Sequence, residues 1–524
     1  MNTKFNGSFY TPVEIAEWLT ERVSKNYTAY KKVKVLEPSC GDGVFLDTFS
    51  AAFGDTVYTA DAVELNSHAH QLVLDKKTPN VNVYNGDFLF WETRSSYDLI
   101  IGNPPYIARK RLDDKQAEKC KQIHISNGLE NKEISNIWTS FLIKSASHLS
   151  NKGILAFVLP TELLQVNYSK EIRKYLLDRF ERLEIISFKS LAFEDIEQDT
   201  VILIAYKKTE MENGLYFAEV STVSQLRSQN LTFTRHHGDH NAKWSSYILT
   251  EEDMSFLEGV SEKCKKVSDF CTSVAGIVTA ANSYFILTSD DVKKYKLEKY
   301  AKKIVQRGIF INGSVEISES DYNEISNSGK PCYLIDLNSV KESEFSDSLM
   351  QYLKKGRELE IHQRYKCKLR PRWFDVPSIW KSEGLFFKRG HKYPKLVVNN
   401  ADVYVTDSAY RIKMKSDYNI QAFAYSFYNS LTLLYSELNG RYYGGGVLEL
   451  TPNEFKSLPV PYVDIEKEEF SLFSQNFKSK KTIEDLIKIN DEKVLSSIKG
   501  LSPDDIIRVH NIYQKVKRRR LRES

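Results

Sequence analysis

Over residues 1–210, short apolar runs alternate with stretches of helical spacing, and this alternation restricts the fold more than any other feature of the chain. The runs Val33–Leu36, Thr56–Val63, Val81–Tyr84, Tyr97–Ile101, Gly153–Leu159, Leu183–Phe188 and Thr200–Lys207 have the length of strands. Val13–Lys25, Val44–Ala52, Ser67–Leu74, Asn136–Leu149 and Ser169–Phe180 carry apolar residues at helical intervals. No helix separates the last two runs. Strand–helix alternation implies right-handed crossovers. The expected fold class is therefore α/β: a Rossmann-like, mostly parallel sheet of seven strands with an antiparallel pair at its end. The segment Ile107–Ser135 reads as a long, polar, irregular loop.

In such sheets ligands bind beyond the carboxyl ends of the strands. The first run ends in Glu37-Pro38-Ser39-Cys40-Gly41-Asp42-Gly43, the second in Glu64, the third leads to Asp87-Phe88, and the fourth to Asn103-Pro104-Pro105-Tyr106. Gly41 and Gly43 allow a ligand to approach the backbone closely. Glu64 suits ribose hydroxyls, by the logic of the acid that follows the glycines of dinucleotide sites. Asp87 suits an adenine amino group, with Phe88 packed on the ring.

A rigid turn explains the two prolines. It does not explain the Asn before them or the aromatic after. An exocyclic amine on a base is a poor nucleophile, because its lone pair is delocalised into the ring. The Asn103 side-chain oxygen and the Pro104 carbonyl can accept its two hydrogens and localise that lone pair, while Tyr106 offers a face on which an extruded base stacks. The prolines keep the geometry stiff, as transition-state complementarity demands.

Composition excludes several classes. The chain has 524 residues, 41% hydrophobic and 27% charged, which is incompatible with global disorder. No apolar run approaches the ~18 residues of a membrane span. The N-terminus lacks a basic segment followed by an apolar one, so no secretory signal is expected. Six dispersed cysteines without a C-x-x-C pair argue against structural zinc and disulfides. The expectation is a monomer of the bacterial or archaeal cytoplasm, near the nucleoid, without metal or membrane contact.

Charge is uneven, at −2 over residues 1–210 and +6 over the remainder. Beyond about His240 the alternation fades and aromatic residues become dense. His362–Lys395 holds ten lysines and arginines against two acids, interleaved with Tyr365, Trp373, Phe374, Trp380, Phe386, Phe387 and Tyr393. Basic and aromatic side chains together suit phosphate contact and base stacking, although a solvated face over a core reads the same way. The tail Lys515–Arg522 carries six basic residues in eight, as a phosphate-binding arm or a frayed end would. The reading divides the chain into a catalytic core, residues 1–235, and a mixed α+β, polyanion-binding region, residues 236–524. Candidate nucleic-acid contacts are Arg109, Lys110, Arg111, Arg370, Arg372, Lys388, Arg389 and Arg441.

The order Phe9-Tyr10-Thr11-Pro12, then VLEPSCGDGVFL, Glu64, Asn85-Gly86-Asp87-Phe88 and YDLIIGNPPYI resembles the γ-class (TaqI-like) adenine-N6 DNA methyltransferases of restriction–modification systems. The resemblance implies a methyl transfer from S-adenosylmethionine to N6 of a flipped adenine in double-stranded DNA. It makes Phe9, Tyr10, Thr11 and Pro12 a segment closing over the cofactor. With them it places Glu37, Pro38, Ser39, Gly41, Gly43, Glu64, Asp87, Phe88 and Asn103 in the cofactor site. It makes Asn103, Pro104, Pro105 and Tyr106 catalytic, and points to Phe193, in LAFEDIEQDTVILIA, as a ring against the flipped base. SVAGIVTAANSYFIL and RYYGGGVLELTPNEFKSLPVP resemble stretches bounding a target-recognition domain. No nuclease segment is evident, so a separate restriction endonuclease is the expected genetic partner.

Two other readings remain. Glutamine-N5 methyltransferases acting on release factors also use Asn-Pro-Pro-Tyr, but the closing segment ahead of the glycines and the long C-terminal part weigh against them. A DNA-binding module with a degenerate methyltransferase core is opposed by the intact Asn103, Pro104 and Tyr106.

Overall fold

The computed structural model describes residues 11–523 apart from 28–31, 55, 57, 131–134, 191–198, 229–230, 237–242, 312, 378, 444 and 480–481. Two compact units emerge, Met1–Glu251 with Tyr443–Gly445, and Glu252–Tyr442 with Gly446–Ser524. Among the described residues no helix is long and apolar enough to cross a membrane.

The first unit is built on strands β1 (Val33–Glu37), β2 (Tyr58–Glu64), β3 (Val81–Asn85), β4 (Tyr97–Gly102), β5 (Leu149–Pro160), β6 (Arg182–Phe188), β7 (Thr200–Tyr206), β8 (Gly214–Val220) and β9 (Thr234–His236). They form one sheet in the order β3-β2-β1-β4-β5-β7-β6-β8-β9. The sheet therefore has nine strands where seven were expected: β8 and β9 extend it beyond β6. Pairings from β3 to β5 are parallel. β7 lies antiparallel between β5 and β6. The helices are α1 (Val13–Ser24), α2 (Val44–Phe53), α3 (Ser67–Asp75), α4 (Asp114–Ser126), α5 (Trp138–His148), α6 (Glu162–Gln165) and α7 (Lys170–Arg179).

The chain starts the sheet at its middle, runs outward through β2 and β3, then returns to lay β4 on the other side of β1. The order reverses between β1 and β4, and ligands of open α/β sheets bind at such a reversal. Period-two alternation supplies a core on each face. Along β5, Leu155, Phe157 and Leu159 join one cluster, while Ile154, Ala156 and Val158 join the other. All seven residues of β7 are buried, as a strand covered on both faces requires.

The segment expected as an irregular loop holds α4 instead. The Asp113 carboxylate accepts from Gln116 N at 2.8 Å and so caps the helix. Ala117, Cys120, Ile123 and His124 form its buried side.

The second unit has a five-stranded sheet in which Cys271–Ala275, Ala409–Met414, Gly384–Phe387, Lys395–Asn399 and Glu316–Ile317 lie side by side. Its basic–aromatic stretch is in large part interior. Phe374, Phe386 and Phe387 are core residues, whereas Tyr365 is 78% exposed. Two of the arginines expected on DNA are turned inward. Arg372 grips Asp375 through two bonds of 2.8 and 2.9 Å and donates to the carbonyls of Val340 and Leu337. Arg370 donates to the carbonyls of Val278 and Thr279. Guanidinium donors committed to carbonyls and a carboxylate of the same unit are withdrawn from phosphate contact.

The basic tail is neither an arm nor a frayed end. It completes the helix Pro503–Leu521, in which Lys517 pairs with Glu484. Arg520 and Glu437 form a pair at 2.6 Å with each side chain only 1% exposed.

Arg372→Ala strands the Asp375 carboxylate and two carbonyls, and should cost about 1–3 kcal/mol of unfolding free energy, the lower end applying because the pair is partly solvated. A denaturant titration measures this. If instead stability holds while the salt dependence of DNA binding flattens, Arg372 is a phosphate contact after all.

Candidate active site

Strand pairing brings the sequence-separated residues together. β1 and β4 run in register with Val35 opposite Leu99 and Leu36 opposite Ile100, so the loops leaving both strands begin side by side. Gly41 (φ 56°) and Gly43 (φ 85°) turn the first loop through left-handed backbone. A Cβ on Gly43 would also come within 3.1 Å of Val73 Cγ2.

Glu37 closes β1 with 1% exposure, and its Oε2 has no hydrogen-bond partner among the described residues. Burial, then the charges of Asp42 and Glu64, hold its carboxyl well above the usual range. Glu64 accepts from Gly41 N at 2.9 Å and from Asn66 N at 2.7 Å, so it clamps the glycine loop as well as marking the end of β2. Each carboxylate oxygen has a second acceptor position. Asp87 accepts from Leu89 N and from Gln116 Nε2 of α4, both at 2.9 Å. Phe88 lies in the core against Phe141 and Trp91, 2% exposed.

The Asn103 turn is tied from three sides. Ser39 Oγ donates to the Asn103 carbonyl at 3.1 Å. The Tyr106 hydroxyl shares its one proton between Asn103 Oδ1 at 2.6 Å and the Val158 carbonyl of β5 at 3.0 Å. Asn103 Nδ2 donates to Thr11 Oγ1 at 3.2 Å. The amide thus turns its oxygen towards Tyr106 and its nitrogen towards Thr11. Burial raises the Tyr106 phenol well above its ordinary value, so the hydroxyl stays protonated and keeps donating. The ring packs on the core but is only half-buried. Pro104 is buried and Pro105 half-buried. Sequence reasoning gave Tyr106 a stacking face but missed its hydroxyl, which orients Asn103. It also missed that Thr11 reaches Asn103.

Thr11 is buried, and Pro12 immediately precedes α1. Phe9, Tyr10 and Phe193 lie outside the described residues. Arg109, Lys110 and Arg111 form an exposed 3₁₀ turn just after the motif. Lys388 lies over the Tyr410 ring at 5.3 Å. Arg389, 66% exposed, pairs with Glu449, and Arg441 pairs with Glu454. Among the described residues no three His, Cys, Asp or Glu side chains gather as a metal site.

A carboxyl raised in the folded state holds a proton that the unfolded chain has released. Its contribution to stability therefore falls as pH rises above about 4.3, the unfolded value. Glu37→Gln should equal wild type near pH 4 and exceed it by about 1–3 kcal/mol at neutral pH. Unfolding titrations across that range measure the difference, and a pH-independent gap refutes the assignment.

Two family models match: "Eco57I restriction-modification methylase" over residues 49–193, and "Type II methyltransferase M.Eco57I, C-terminal domain" over residues 241–495. The type II methyltransferase M.AccI of Acinetobacter calcoaceticus is 24% identical over 472 residues, covering 85% of this chain and 83% of the relative. M.HincII of Haemophilus influenzae is 28% identical over 226 residues, covering 43% of this chain and 42% of that one. The type IIL restriction–modification enzyme MmeI, solved in complex with DNA, shares the fold with a TM-score of 0.57 at 12% identity, covering 97% of this chain and 72% of its own. The nine-stranded sheet, the Asn-Pro-Pro-Tyr turn at its reversal and both model matches lead to one conclusion: the chain belongs to the γ-class, Eco57I-type methyltransferases of restriction–modification systems.

Proposed function

We propose that this chain methylates N6 of an adenine flipped out of a short double-stranded DNA sequence, using S-adenosylmethionine, and so protects DNA from a cognate restriction endonuclease. The observation that carries the reading is the Asn103 amide, oriented by Tyr106 and Thr11 at the sheet reversal where Glu37 Oε2 has no partner among the described residues.

The rim fits the donor. S-adenosylmethionine, when bound, supplies a methyl group activated by a positive sulfur. An acid-lined rim suits a cationic ligand, whose charge would favour ionisation of the buried Glu37 carboxyl, and Gly41 and Gly43 let it lie against backbone. Glu64 and Asp87 would take the ribose hydroxyls and the adenine amine. Asn103 Oδ1 and the Pro104 carbonyl accept the two hydrogens of the target amine and localise its lone pair. No strong base is required, since the amine becomes acidic once alkylated. Tyr106 offers its ring to the base while its hydroxyl keeps Asn103 aimed. Phe193 would supply a second face. Arg109, Lys110, Arg111, Lys388 and Arg389 would meet phosphates, an attraction that weakens with salt.

Asn103→Ala should lower kcat at least ~100-fold while leaving donor affinity within a few-fold. Tyr106→Phe keeps the ring and loses the aiming bond, so kcat should fall about tenfold at unchanged DNA affinity. Single-turnover transfer of labelled methyl groups, followed by nucleoside mass spectrometry, reads both rate and product. N4-methylcytosine in place of N6-methyladenine, or a methylated glutamine, would overturn the reading.

A further inference from the structure

The buried lysine of α5 has no part in the chemistry above. Lys144 Nζ donates to the carbonyls of Phe88 at 2.9 Å and Leu89 at 3.0 Å, and also to that of Trp91. These three carbonyls belong to the turn that follows β3. The same turn is closed by Phe90 N and Trp91 N, both 3.0 Å from the Asp87 carbonyl. The Asp87 carboxylate takes its direction from Leu89 N within the turn. One ammonium thus gathers the open carbonyl end of the element that aims Asp87, as a cation does at a helix C-terminus.

We propose that Lys144 is a positioning residue for the donor site: its three bonds to the Phe88–Trp91 backbone hold Asp87 where it meets the adenine of the methyl donor. This rests on the reading of Asp87 under the proposed function. The ammonium satisfies three buried carbonyls at once, so a structural role and the aiming of Asp87 share the same bonds and only a donor-site readout separates them. Lys144 is 6% exposed and lies over the Phe88 ring at 5.1 Å, so the charge is buried at a cost that its carbonyl partners offset.

The charged groups around the ammonium are few. Glu92 lies 3.9 Å away and is 72% exposed; Lys119 of α4 pairs with that same carboxylate. Asp87 and, further along α5, His148 complete the set. Burial pulls the Lys144 ammonium down to about 8. The charged form makes the stronger bonds to carbonyls, so Asp87 is best held below that value and loosens above it. Stability moves the other way. The folded value lies below the ~10.4 of an unfolded lysine, so between the two the unfolded chain binds the extra proton and this group's contribution to stability rises with pH. Weaker binding above pH 8 is then not a loss of fold.

The test uses the full chain and 5′-methylthioadenosine, which carries the adenosine of the donor without an amine that titrates in this range. Its Kd is measured by calorimetry from about pH 7 to about pH 9.5. For wild type we expect affinity to fall about fivefold across that range. Lys144→Met should bind about tenfold more weakly at neutral pH, with no dependence on pH. Asp87→Asn separates the two claims. If it binds as wild type does, Asp87 is not in the donor site and the underlying reading fails. If Asp87→Asn is weakened but the wild-type profile is flat, the inference about Lys144 alone is overturned. A slope that persists in Lys144→Met overturns it as well. Should Lys144→Met fail to fold, the wild-type profile decides by itself.

Discussion

Everything at the rim follows from the parallel pairing of β1 with β4. That pairing is short, with Val35 opposite Leu99 and Leu36 opposite Ile100, yet it sets the Glu37 loop against the Asn103 turn across 66 residues of sequence. A slip of one residue would turn Leu36 and Ile100 to the wrong face of the sheet and break both cores. Two opposed layers of apolar side chains therefore protect the register, and the register delivers the site.

The Asn103 turn shows how a weak set of bonds gains by convergence. A single hydrogen bond contributes only ~1 kcal/mol net. Here Ser39, Thr11 and Val158, from three parts of the first unit, engage one tetrapeptide that the Tyr106–Asn103 bond also closes from within. The two prolines have already removed most of its backbone freedom. What remains is a side-chain amide with one orientation, the property a methyltransferase needs when its substrate is a reluctant nucleophile.

Much of this was legible because it rests on local pattern. The bounds expected for Val13–Lys25, Val44–Ala52, Ser67–Leu74 and Tyr97–Ile101 fall within a residue of the observed elements, since periodicity and Gly or Asn punctuation mark them. α4 was read as loop because lysines and acids outnumber the four buried positions that define its face; Asp113, an N-cap with apolar residues following, was the available signal. β9 has only three residues, too few for a pattern. The Thr11 bond left no trace in sequence because it joins residues 92 positions apart, and the Tyr106 bond, three positions apart, depends on the conformation the turn takes once folded. Charge density misled most in the second unit. Arg370 and Arg372 count as basic in any composition, but their partners, Val278, Thr279, Leu337, Val340 and Asp375, appear only after folding.

The Arg520–Glu437 pair has a practical bearing on how the chain tolerates editing at its end. Arg520 sits in a stretch rich in sites for trypsin-like proteases, Lys515–Arg522. Clipping after Arg518 or Arg519 would remove the guanidinium and leave Glu437 charged in the interior, at a cost of about 3–5 kcal/mol. The last turn of the final helix therefore contributes to the second unit's interior through this pair.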